Sequence, residues 1–489
     1  TYRWSPDTWL TFKVEVVGDW LEQDLGLIPV FQTANATGES AGYTLARYNT
    51  VYQEPTDKTD SRGHAFSGTF HTRLNDRWTV NLQSRFAYVR EWIREETQLV
   101  GGTSPTLANP NWARQYNYND GPHRYWYSDA NAYATYGPEK FQNTILVGTG
   151  GGVEFTDVRR ISFGPTVAPI NVFHPTLGLL PYPADGTRPN NPKQWLTSFG
   201  VYVSDNIKLV DRWHLSVGTR YDQQISHSYD PINPVTAPYV HQNAHAITSQ
   251  GGVVFDLTRS LSAYASVSQS FKPQAVTTVD AGGVSGFPPE KGFQKEAGFK
   301  FEAEDHKLNA SIAAYEIVRT DVAVSTGLVL PVSGLGIFRL DGEQRSRGVE
   351  LETEWQPLPN WQMQAGLALG HAYVSKSTGN PATVGTDLVT APRRSGSFWT
   401  RYNFTGNALR GLGAGLGVIY VGRQWSPGNF VVPGWVRADG HVYYDWKRYK
   451  FGFSCENLFD RRYIQIARAR QILVPGNERR LTFSLTARY

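Results

Sequence analysis

Metal ligation and covalent catalysis each need particular side chains at particular spacings, and this chain is sparing with both. His241 and His245 stand four apart in "HQNAH", a pair that could hold a metal ion. In a polar loop such a pair is ordinarily solvated, and no metal site is expected there. The other histidines are scattered. The single cysteine, Cys455, excludes an internal disulfide framework and any cysteine-based metal centre. No GxSxG, HExxH, P-loop or CxxC motif occurs, so no catalytic residue and no intrinsic cofactor is expected.

Aromatic surface interleaved with a few cations is what the chain has instead. The stretch "NPNWARQYNYNDGPHRYWY" (109–127) places Trp112, Tyr116, Tyr118, Tyr125, Trp126 and Tyr127 around Arg114, His123 and Arg124. Ring faces can hold the apolar flank of a ligand while nearby donors hold its oxygens. The same rings could equally form a girdle at a membrane interface. His227 and Tyr229 in "ISHSYD" are further binding candidates on the same grounds.

Strands must position these residues. Trp78, Val80, Leu82, Phe86 and Tyr88 alternate with Thr79, Asn81, Gln83 and Arg85, and Trp213, Leu215, Val217 and Tyr221 repeat the pattern. In "LRGLGAGLGVIYVGRQW" the apolar Leu412, Ala414, Leu416, Val418 and Tyr420 face away from Gly411, Gly413, Gly415 and Gly417. A period of two over such lengths is strand. Short links such as "LNDRW", "LVDRW" and "EAEDHK" alternate with long ones such as 91–124, 161–194 and 374–392. That layout predicts about 18 strands in an outer-membrane barrel, with tight turns at one rim and long loops at the other.

Composition agrees. Aromatics make up 13% of 489 residues, with 15 Trp and 26 Tyr but a single Met. No run of apolar residues is long enough for a transmembrane helix. A blade repeat of the propeller kind is absent, and the strands are longer than those of sandwiches. A net charge of +4 gives no case for nucleic acid. The expected fold is all-β, a transmembrane antiparallel β-barrel occupying 1–489 as one domain.

Seven segments together resemble one family. "KQWLTSFGVYVSDNIKLVDRWHLSVGTRYD" (193–222), "SQSFKPQ" (268–274), "PEKGFQKEAGFKFE" (289–302), "RSRGVELETEW" (345–355), "APRRSGSFWTRYNF" (391–404) and "CENLFDRRYI" (455–464) follow the order seen in TonB-dependent siderophore receptors. "APINVFHPTLG" (168–178) resembles a loop segment of the ferrichrome and hydroxamate type. The resemblance implies a barrel of about 22 strands with an N-terminal plug inside it. It also implies residence in the Gram-negative outer membrane, a ferric siderophore as transported ligand, and energy from a TonB–ExbB–ExbD system. Contacts with lipid and lipopolysaccharide and a monomeric state follow from the same likeness.

"TYRWSPDTWLTFKVEVV" resembles the end of the family's fourth strand, a turn and the fifth strand. The plug, the TonB box and the first three or four strands are therefore expected to have no counterpart here. Phe163 falls where ferrichrome-type receptors carry an aromatic facing the chelate, with Arg159 and Arg160 just before it. Arg345, Arg347 and Glu350 are expected to contact the wall or the plug. "LTFSLTARY" resembles the closing strand, with Tyr489 as the terminal assembly signal.

Two features depart from the ferrichrome pattern. "DLGLIP" has Leu25 and Leu27 where aromatics are common, and "ARARQILVPGNERR" (467–480) lacks a cysteine pair. Arg468, Arg470, Arg479 and Arg480 in that loop could face lipopolysaccharide or an anionic ligand. Other functions stay open: a receptor for a different metal chelate or cofactor, a passive porin-like channel, or a phage or toxin receptor.

Overall fold

A computed structural model describes residues 1–22, 26–33, 41–55, 57–99, 104–162, 167–178, 188–234, 239–275, 278–283, 286–303, 305–331, 336–469 and 472–488. Among these, nineteen strands form one antiparallel ladder in which each strand of the wall pairs with the one before it. It starts with the four-residue Tyr2–Ser5 beside Thr8–Glu22 and ends with Tyr449–Glu456 beside Arg480–Ala487. A stub and eighteen longer strands result, in line with the count expected from the alternating pattern.

The register turns the period of two into two faces. Val14, Phe66, Phe86, Trp126 and Val153 lie opposite one another on five neighbouring strands, and all are exposed. The adjoining row is Glu15, Ala65, Ala87, Tyr125 and Glu154. An apolar row exposed over many strands is stable only against lipid, so the first row faces outward and the second lines the lumen. Tight turns join the strands at one rim. In "LNDRW" the Asn75 Oδ1 accepts from the backbone N–H of Arg77 and of Trp78, which closes the turn without regular structure.

At the opposite rim the long loops pack on each other. Leu27, Phe31, Phe430, Val432, Ile464 and Leu473 form one buried cluster. Ile28, Val30, Tyr52, Trp112, Ile170 and Val172 form another. The segment Gly26–Phe31 is the partition between them, since its residues turn alternately to one side and the other. Leu27 donates its N–H to the Leu473 carbonyl at 2.7 Å and accepts from the Leu473 N–H at 2.8 Å. The first and last long loops are thus joined, which brings the two ends of the ladder round toward each other. Among the described residues, Tyr2–Ser5 and Arg480–Ala487 each pair with one neighbouring strand only.

Arg345 and Arg347 have outward phase and touch the neighbouring wall strands, through Glu316 and Tyr373. They share the row of Val349 and Leu351, which lies opposite Ile312, Leu367 and Leu369, all exposed. The strand Gly336–Leu358 is long enough to leave the bilayer. Counting from its tight turn, Arg347 stands roughly 28 Å up the barrel axis, just past an apolar band about 25 Å tall. Charge there meets water and lipid headgroups. Arg345 pairs with Glu343 at 2.7 Å, and the Arg347 guanidinium lies 5.9 Å from the Tyr373 ring. Glu350 has the opposite phase and lines the lumen, in the same row as Tyr264, Gly298 and Ala313.

Candidate functional site

Glycine-rich strands give the lumen wall its binding surface. In "ILVGTGGGVEF" the residues Gly148 and Gly150 point inward and have no side chain. The Tyr202 ring from the next strand lies across Gly148, where an added Cβ would sit 2.3 Å from a ring carbon. This placement lets the Tyr202 hydroxyl reach Asp129, which accepts it at 3.0 Å. Arg220 stands 5.2 Å from the Tyr202 ring centroid and donates from Nε to Asp222 at 2.7 Å. Gly200 makes room for both charged groups, since a Cβ there would come within 2.4 Å of each. Gly413 and Gly417 work in the same way on a later strand, flooring the rings of Tyr443 and Trp399. The result is a set of ring faces laid flat against the wall, with an arginine and carboxylates fixed beside them.

Tyr125 and Tyr127 continue this inner surface toward the loops. Arg85 links the two sides of it, with an ion pair to Glu15 at 2.6 Å and a long hydrogen bond to the Tyr125 hydroxyl at 3.5 Å. Farther toward the tight turns the lumen becomes acidic. Tyr264 donates to Glu296 at 2.7 Å, and Lys300 sits 5.0 Å from its ring centroid. A cavity of about 1020 Å³ opens at that end, lined in part by Asp211, Arg212, Asp256, Lys300, Glu352 and Glu354.

Of the residues selected from sequence, several stand elsewhere than expected. Trp126 belongs to the outward row, 56% exposed, its indole N–H donating to Ser84 Oγ at 2.8 Å. It is a girdle residue, and its neighbours Tyr125 and Tyr127 are the ones that face inward. Trp112 is 4% exposed and packs in the second loop cluster. His227 also has outward phase, opposite Trp195 and in register with Phe155 beyond it. Its ring turns from the lumen and meets His241 and Tyr239 instead. Tyr116, Tyr118 and Arg160 lie in strands of the wall, but their side chains are outside the described residues, as are Phe163 and Tyr489 altogether. Asp129, Tyr202 and Arg220 escaped the sequence reading. The signal for them was the run of glycines at 148–152, which marks a strand whose neighbours carry large inward side chains.

One ion pair inside the loop layer is tightly held. Arg114 and Glu54 form an ion pair at 2.8 Å with both side chains 3% exposed. Glu54 also accepts the Gly178 N–H at 2.5 Å, so one carboxylate joins two loops to the strand Asn111–Tyr136. Burial pushes the Tyr43 phenol up to about 12, and burial also raises that of Tyr52, whose hydroxyl donates to the Val172 carbonyl. In the loop after Lys376, burial disfavours the charged form of Asp387. Arg393 at 2.6 Å and His371 at 2.9 Å outweigh it and hold the carboxyl below its ordinary value.

A lipid-facing strand cylinder, capped by packed loops and lined with aromatic and charged groups, defines an outer-membrane receptor barrel. Residues 14–458 match the TonB dependent receptor-like, beta-barrel family, and the chain belongs to it. The family consists of outer-membrane receptors and transporters, not enzymes. The metal-pseudopaline receptor CntO of Pseudomonas aeruginosa is 26% identical over 503 residues, spanning 100% of this chain and 67% of its own length. The ferrichrome outer membrane transporter/phage receptor of Escherichia coli is 26% identical over 455 residues, spanning 87% of this chain and 57% of its own length. The crystal structure of the siderophore receptor PiuA from Acinetobacter baumannii superposes with a TM-score of 0.85 at 19% identity, covering 99% of this chain and 72% of that one.

Proposed function

We propose that this chain is the membrane-spanning part of a receptor that takes up a ferric siderophore, of hydroxamate type, with energy delivered through TonB–ExbB–ExbD. The inner wall carries this reading. Tyr202, Arg220, Asp129 and the tyrosines above them present flat rings and fixed donors beneath an ordered layer of loops. A ferric chelate arrives with its iron already coordinated, so the protein need supply no metal ligand. It needs apolar faces for the chelate's flank and donors for its oxygens. The names of the similar proteins, a metal-pseudopaline receptor and a ferrichrome transporter among them, support a metal chelate as cargo.

In this reading the barrel acts as a monomer. Loop closure over the ligand does work only to the extent that the chelate binds the closed state more tightly than the open one. The test is growth of a deletion strain on single siderophores as iron source. Growth lost on ferric hydroxamates alone supports the full proposal. Growth lost only on another chelate keeps the receptor and removes the hydroxamate. Unchanged growth and unchanged binding on every chelate overturn both.

A further inference from the structure

We propose that His227, His241 and Tyr239 form a binding site for a late first-row divalent cation such as Zn²⁺, at the base of the loop joining Trp213–Tyr229 to Val240–Asp256. His227 and His241 are direct partners in the antiparallel register, with ring centroids 4.7 Å apart. Their Nδ1 atoms face each other at 3.1 Å, and the Tyr239 hydroxyl meets the same Nδ1 of His227.

Hydrogen-bond inventory makes this convergence unusual. A ring nitrogen either donates one hydrogen or offers one lone pair, so the His227 Nδ1 can satisfy only one of its two partners. A cation shared by the two imidazoles satisfies both nitrogens at once, and the Tyr239 hydroxyl shifting by a few tenths of an ångström completes a third ligand. With metal–nitrogen bonds of about 2.05 Å, two nitrogens 3.1 Å apart subtend about 98° at a shared ion. That angle falls between the octahedral and tetrahedral values. The two imidazoles suit zinc, copper and nickel over calcium or magnesium. The remaining coordination positions open to solvent, because Tyr239 is exposed.

The surroundings favour a held site. His227 lies fourteen residues up its strand from Trp213, roughly 35 Å along the barrel axis, above the apolar band and in water. Trp195 stacks on Tyr229 at 5.6 Å and 5°, and Phe155 packs on Trp195 at 4.9 Å, which fixes the strand end that carries His227. The nearby charges of Lys193 and Asp157 pair with each other at 3.5 Å. His245, the histidine that spacing alone would join to His241, stands roughly 13 Å away along the strand and takes no part. An ion here would tie the two stems of the 230–239 loop together.

Calorimetric titration of the chelator-stripped, detergent-solubilised full receptor with Zn²⁺ tests the proposal. The expected result is one saturable site, weakened in His227→Ala and in His241→Ala by at least about tenfold, the lower end of what losing even an outer-shell partner costs. His245→Ala should bind as the unaltered receptor does. Cu²⁺ should quench Trp195 fluorescence, and His241→Ala should remove that quenching. Should His227→Ala fail to assemble, as judged by circular dichroism, His241→Asn at the exposed ring gives the same readout. No bound Zn²⁺, equal affinity in the His241 variants, or equal weakening in His245→Ala would each overturn it.

Discussion

The loop layer and the lumen wall are both rich in aromatic residues, yet they use them in opposite ways. In the loops, Phe31, Tyr52, Phe430, Leu27 and Val172 are fully buried, and a buried ion pair is sealed among them. In the wall, the Tyr202 and Trp399 rings lie partly exposed against glycine, and Arg220 and Asp222 keep access to the lumen. The wall owes its stability to ladder hydrogen bonds and to lipid against its outer face. Its inward side chains are therefore free to be chosen for a ligand. The loops have only short ladders and must also build a core, so an aromatic ring there is first a packing residue. Trp112 teaches this directly.

Breaking the loop layer should produce the largest effect. Glu54→Ala leaves Arg114 charged and buried, and the local opening free energy of the loops should fall by about 3–5 kcal/mol. Hydrogen exchange at 26–31 should accelerate accordingly, while exchange in Lys193–Leu209 stays as it was. Equal acceleration in both regions would erase the distinction drawn between them. Next, Gly148→Leu forces the Tyr202 ring off the wall and should cost about 1–3 kcal/mol of overpacking. Chelate binding should drop with it, and the strand register should persist in a solved structure of the variant.

A smaller effect is expected for Tyr202→Phe, which removes one hydroxyl bonded to Asp129 and should cost about 1 kcal/mol. Thermal unfolding should barely move, whereas a several-fold loss of chelate affinity would sharpen the assignment of the wall as the binding surface. The smallest effect is a pH dependence in the loop after Lys376. Asp387 has a lowered value in the folded protein, so its pairing contributes fully above the ordinary carboxylate range. That contribution is lost as pH falls through the lowered value. Protease cleavage within 377–393 should rise only in that acid window, and Asp387→Asn should abolish the dependence.

Most of the wall was legible in the sequence because alternation survives any register. What alternation lacks is phase across strands. Tyr125, Trp126 and Tyr127 are aromatic in succession, so nothing local says which one turns inward. The pairing of Phe86 with Trp126 decides it, and pairing is a property of two distant segments. For Arg345 and Arg347 the phase was present, since Val349 and Leu351 continue the same row. How far the strand Gly336–Leu358 runs beyond the lipid was not legible from that phase. Contacts such as Arg114 with Glu54 and Leu27 with Leu473 join segments that no spacing connects.

The bridge between Leu27 and Leu473 also sets an order of events. Its two partners are far apart in sequence, so the loop carrying Leu27 cannot dock until the hairpin carrying Leu473 has been made. A contact of such high sequence separation forms late. This part of the cap therefore closes only after the strands between its two partners are in place. The finished cap is a record that the hairpin carrying Leu473 has arrived.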